Sequence, residues 1–146
     1  MEHESNYYNF SESDIENLQL LDEQLRAQTM FIYSDFLSYL ATIEGIQLIY
    51  SKYDPNIPSD IYNPDITALQ SLYVAIIARL MIANVAFTKY DILINKFYNG
   101  EIDFSLQPNI DINISNVLST LGYMYALRGA RGIYERDITQ PVFGVR

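Results

Sequence analysis

Residues 63–100, NPDITALQSLYVAIIARLMIANVAFTKYDILINKFYNG, decide the fold. Within them Ile66, Tyr73, Leu80, Phe87 and Ile94 alternate with Leu69, Ile76, Ala83, Tyr90 and Phe97 at strict three-and-four spacing. That is nearly five heptads with an apolar residue at every seam position, the pattern of a helix that packs as coiled coils do. Asn63 reads as the N-cap, Pro64 as the first helical residue and Asp65 as first-turn negative charge. Asn99-Gly100 supplies the stop. The spacing therefore predicts a helix over 65–99. Leu72, Val74, Ile77, Met81 and Ile82 add apolar surface outside the seam, so this helix is expected to touch neighbours on more than one side and to be the central one.

Upstream, a seven-residue apolar pattern runs through Ile15, Leu18, Leu25, Ile32, Phe36, Tyr39, Ile43, Ile46, Tyr50 and Tyr53. Asp22 and Thr29 interrupt the stripe. Gly45 costs about 1 kcal/mol in a helix interior and marks where a bend is expected. Ser11 as N-cap places Phe10 at N′ and Ile15 at N4, the spacing of a hydrophobic staple, with Asp14 near the positive helix end. Ser13 with Glu16 is an overlapping capping box. A first helix over 11–53 follows, about 60 Å long at roughly 1.5 Å per residue. Residues 1–10 precede it as an arm. Residues 54–64, DPNIPSDIYNP, carry three prolines and form the connector.

Downstream the period changes. Ile102, Phe104 and Leu106, then Ile110, Ile112 and Ile114, alternate with polar residues around Gln107-Pro108-Asn109. Residues 101–114 are read either as a short β-hairpin or as an extended segment over the helices. A third helix is expected over 115–128, with Val117, Leu118, Leu121, Met124 and Tyr125 on one face. Gly129 and Gly132 are expected to end it, leaving 129–146 as an arginine-bearing tail. The architecture is mainly α: a long antiparallel helical hairpin with a third, shorter helix packed on it, as in a three-helix bundle. Its 146 residues are one domain's worth.

Composition excludes several chemistries. The chain has no cysteine and one histidine, His3, so disulfides, thiol nucleophiles, classical triads and zinc motifs are absent. Neither a Gly-rich phosphate loop nor an EF-hand loop occurs. Glu12 with Glu16, and Asp22 with Arg26, lie one helical turn apart and read as helix-start charge and an i,i+4 pair. No enzyme activity, metal, cofactor or small-molecule ligand is expected.

The net charge is −9, which disfavours nucleic acid, Arg128-Gly129-Ala130-Arg131-Gly132 notwithstanding. Residues 1–25 hold seven carboxylates and no Lys or Arg, whereas Arg128, Arg131, Arg136 and Arg146 lie in the last 21 residues. The beginning MEHESNYYNF has neither the basic nor the apolar region of a secretory signal, and a cytoplasmic protein is expected. Residues 30–50 and 68–87 are apolar but interrupted by Asp35, Glu44 and Arg79. Each such charge near a bilayer centre costs on the order of 2.5–3.5 kcal/mol, so integral membrane association is not expected.

Arg79 stands inside VAIIARLMIANV. A hairpin folded about residue 59 brings it near position 40, one turn from both Asp35 and Glu44, and an ion pair that fixes register is expected there. Thirteen tyrosines and seven phenylalanines against three lysines is the inventory of a protein interface. The expectation is a non-enzymatic structural or adaptor protein that self-associates or joins a larger particle through Tyr-rich helix faces. Arg128, Arg131, Arg136 and Phe143 would dock on Glu12, Asp14 and Glu16 of a neighbour. The alternative is a small acidic inhibitor or antitoxin that binds a basic partner through the same carboxylates.

Overall fold

The computed structural model describes residues 10–58 and 62–139. Three helices run up, down and up: α1 Glu12–Tyr50, α2 Pro64–Tyr98 and α3 Gln107–Thr139. Both α1 and α3 pack on α2 and neither packs on the other, so α2 is the central helix.

Local chemistry sets the ends. The Ser11 hydroxyl accepts from the Asp14 amide at 3.1 Å, and the Asp14 carboxylate accepts from the Ser11 amide at 3.3 Å and from its hydroxyl at 2.7 Å. Two otherwise orphaned amides are thereby satisfied at the start of α1. Asn63 caps α2 by accepting from the Asp65 amide at 2.9 Å, with Pro64 next in sequence as the first helical residue. After α2, Gly100 takes φ +73°, the left-handed turn that glycine adopts without a Cβ clash. α1 runs unbroken through Gly45 and stops at Tyr50, capped by Ser51, so residues 51–53 are turn.

The third helix differs from the sequence expectation at both ends. Residues 101–106 are non-helical, but 107–114, read as strand or extended chain, form the first two turns of α3. Among the described residues there is no strand. The physical reason is a second period in the same residues. Ile110, Ile114, Val117, Leu121 and Met124 recur at four-and-three spacing, and Pro108 falls in the first turn, where its missing N–H costs nothing. Ser105 Oγ accepts from the Gln107 amide at 3.2 Å. At the other end the helix continues through Gly129 and Gly132 to Thr139. The two glycines weaken that stretch by about 1 kcal/mol each. The Arg131–Glu135 pair at 2.9 Å, one turn apart, partly offsets this.

The helices meet through small and polar side chains. On α1 the buried row is Leu20, Ala27, Ser34 and Ala41, spaced by seven, with Leu37 beside it. On α2 the buried residues include Thr67, Ser71, Ala75 and Ala78, of which Ser71 meets Ser34. Ser34 Oγ donates to the Ser71 carbonyl oxygen at 2.9 Å, and Asn84 Nδ2 donates to Glu23 Oε1 at 3.1 Å. α3 turns Asn113, Asn116 and Thr120 inward. Among the described residues no large side chain is fully buried.

The α1 heptad stripe is therefore not the seam of the hairpin, and that of α2 is half-buried at Ile66, Leu69, Ile76, Tyr90 and Ile94 and buried at Ala83. Leu25, Ile32 and Tyr39 of the α1 stripe are 61%, 72% and 63% exposed, while Ala27 and Ser34 between them are 0% and 4% exposed. On α2, Tyr73, Leu80, Phe87 and Phe97 are exposed. On α3 the expected face, Val117, Leu118, Leu121, Met124 and Tyr125, is exposed along its whole length.

Candidate interaction surface and the Arg79 groove

Arg79 does not pair with a carboxylate. Its guanidinium carbon lies 4.7 Å from the centre of the Phe31 ring on α1 and 5.4 Å from that of Tyr123 on α3. The side chain spans the gap between two helices that otherwise do not meet. Its Nε is shut off from solvent with no hydrogen-bond partner. Arginine–carboxylate pairs form elsewhere, at Arg26–Asp22, Arg131–Glu135 and Arg136–Asp137.

The expected Arg79 pair with Asp35 or Glu44 fails on register. The Ser34–Ser71 contact sets α2 lower on α1 than a fold about residue 59 would, so position 79 faces Phe31 rather than position 40. Glu44 is thirteen residues from Phe31, about 20 Å along the helix. Its Oε2 is buried without a partner, and Asp35 is exposed. Phe31 and Tyr123 carried no signal in the sequence as partners of Arg79, because which rings it meets depends on that register.

The acidic start and the arginine-bearing end are held apart within one chain. In an up-down-up arrangement the N-terminus of α1 and the C-terminus of α3 lie at opposite ends, separated by about 50 Å of helix. Glu12 and Glu16 are exposed, while the Asp14 carboxylate is engaged in the cap. Arg131 is bound to Glu135 on its own helix; that hydrogen bond, then the Glu135 charge, raises its already high pKa. Arg136 is bound to Asp137 at 3.0 Å, and Arg128 is exposed. Phe143 lies outside the described residues.

An open groove of about 510 Å³ runs between the second half of α2 and the first half of α3, lined by Phe87, Tyr90, Ile110, Asn113, Ile114 and Val117 among others. Asn113 Oδ1 in its wall, and Asn116 Nδ2 one turn further along α3, are buried without partners. No group of three or more His, Asp or Glu side chains among the described residues is placed to hold a metal ion. Asp65, in the first turn of α2, has its pKa raised above 3.8 by burial and then by Asp137, with Arg136 opposing.

The surface is dominated by its apolar stripes. The α1 stripe lies opposite the row that packs on α2, since positions 18, 25, 32 and 39 are two residues removed from 20, 27, 34 and 41 on a 3.6-residue turn. α2 is also long and apolar enough, by length and composition, to cross a membrane, with a mean hydropathy of 1.8 over its richest window. No protein-family description, curated protein or solved structure matches the chain.

Proposed function

We propose that this chain is a non-enzymatic helical building block that acts by packing against protein, and first against copies of itself. The observation that carries the reading is the division of the helix faces: alanine, serine and threonine, with Leu20, Leu37 and Val85, are buried between the helices, while most of the large apolar residues of α1 and α3 stand outside. A monomer with scattered exposed leucines is ordinary, but contiguous apolar patches beyond a few hundred Å² mark interaction surfaces. Tyrosine enrichment and lysine scarcity support the same reading.

Light scattering on a size-exclusion column, at low and at high salt, tests it. The expected result is a mass of two or more chains that does not fall with salt, because apolar contacts are not screened. A particle of 16.9 kDa at both salts would overturn the reading. Were that monomer to float with lipid vesicles, the stripes would belong to a membrane surface.

A further inference from the structure

Resting on the self-association reading, we infer that the occupant of the outer α1 stripe is the α1 stripe of a second copy, laid antiparallel about a two-fold axis near position 34. Within α1 the heptad stripe runs from Ile15 to Tyr50, and 34 is the axis position nearest its centre at which the two rows of the stripe face each other. In an antiparallel pairing each position meets the one whose number completes 68. Ile32 meets Phe36, Leu25 meets Ile43 and Leu18 meets Tyr50, so apolar layers close along the whole stripe. The two polar interruptions are also absorbed. Asp22 meets Ile46 rather than itself, with Arg26 of its own helix 2.6 Å away. Thr29 meets Tyr39, whose hydroxyl can hydrogen-bond it.

A parallel pairing places Asp22 against Asp22 inside the seam and stacks the acidic helix starts side by side, which like charges oppose. The antiparallel pairing does the reverse. It carries the acidic helix start of the second copy to the opposite end of the dimer from that of the first. Area agrees. The stripe's half-exposed side chains, of about 150–250 Å² each for the aromatic ones, offer on the order of 700 Å² per chain, close to the ~800 Å² per partner of a standard stable interface. One like-charge contact remains, since the two Asp35 carboxylates flank the axis on the same side.

The chain's lack of cysteine makes the test direct. Leu18→Cys and Tyr50→Cys change exposed positions, and far-ultraviolet circular dichroism checks that each variant keeps its helices. The two are co-expressed, one carrying a size tag, and treated with a short thiol-to-thiol crosslinker. The expected product is the mixed 18–50 dimer, with neither variant linking to itself. Self-linked 18–18 and 50–50 dimers would overturn the antiparallel arrangement. Absence of any link in a protein that light scattering still finds oligomeric would overturn the α1 pairing and leave self-association standing. A monomeric protein would remove both. As a second measurement, Asp35→Asn is expected to tighten association several-fold by removing the repulsion at the axis, and unchanged affinity would count against that axis.

Discussion

Ser34 on α1 donates its hydroxyl proton to the main-chain carbonyl of Ser71 on α2 at 2.9 Å, and the two hydroxyl oxygens lie 3.2 Å apart. Such a contact requires the two helix backbones to approach closely, which only small side chains allow. Ser34 and Ser71 are 4% and 6% exposed, and Ala27, Ala75 and Ala78 extend the same close approach along both helices. Ser34→Leu should therefore force the pair apart and lower stability by about 1–3 kcal/mol, the usual cost of overpacking. Ser34→Ala should cost about 1 kcal/mol, the net worth of one hydrogen bond. Urea unfolding followed by circular dichroism measures both, and a Ser34→Leu protein as stable as the parent would refute close packing at this layer.

The opposite face of α1 should respond in the opposite way. Ile32 and Tyr39 are 72% and 63% exposed, so replacing both with Gln removes little from the single chain, within roughly 0.5 kcal/mol per site. Helix content is expected to be unchanged. Solution mass is expected to fall, because two apolar layers of the association surface become polar. Retention of the parent's mass by the double variant would place self-association on another face.

Helix existence and polarity were legible in the sequence because they rest on local signals. Asn63-Pro64-Asp65 and Ser11 with Asp14 cap as the residues alone indicate, and both helices of the hairpin begin within one residue of the expected position. The packing faces were not legible, because side-chain size does not by itself decide burial. The row Leu20, Ala27, Ser34, Ala41 has the same period of seven as the row Leu18, Leu25, Ile32, Tyr39, and a period does not say which row faces inward. Residues 110–114 show a related ambiguity, since isoleucine at 110, 112 and 114 satisfies period two while 110, 114 and 117 satisfy the helix. The Arg79 site was beyond reach for a third reason. A shift of register between α1 and α2 exchanges every candidate partner, and no local signal fixes register when the seam is built of alanine and serine.

Asp65 makes stability depend on pH in a definite direction. Burial and the nearby Asp137 hold its pKa in the folded chain above 3.8, despite Arg136. The folded state then binds the proton more tightly than the unfolded one, so ionised Asp65 opposes folding above its folded pKa. That opposition is relieved as pH falls through the folded pKa toward 3.8. Asp65→Asn removes the titration while keeping the shape. Its unfolding midpoint should exceed the parent's near neutral pH, and the difference should shrink as the pH approaches 4. A difference that grows on acidification would mean that Asp65 is stabilised as a carboxylate by the α2 N-terminus.

Arg79 is held by rings, and its variants should sort by how well they replace a flat, long side chain between Phe31 and Tyr123. A guanidinium over an aromatic face contributes about 0.5–2 kcal/mol, depending on how much water is excluded. Arg79→Ala loses both contacts and the side chain that spans α1 and α3, so a loss of about 1–3 kcal/mol is expected. Arg79→Lys keeps the charge but presents a compact ammonium that cannot lie flat on both rings, and should fall between alanine and the parent. Arg79→Met keeps the length and removes a buried, unpartnered Nε, so its stability should lie close to the parent's. An ion pair with Glu44 would order these differently, with lysine best and methionine as poor as alanine. The cycle that combines Arg79→Met with Glu44→Gln separates the two accounts. Coupling within about 0.5 kcal/mol of zero is expected for residues that do not touch, and a larger value would restore the ion pair.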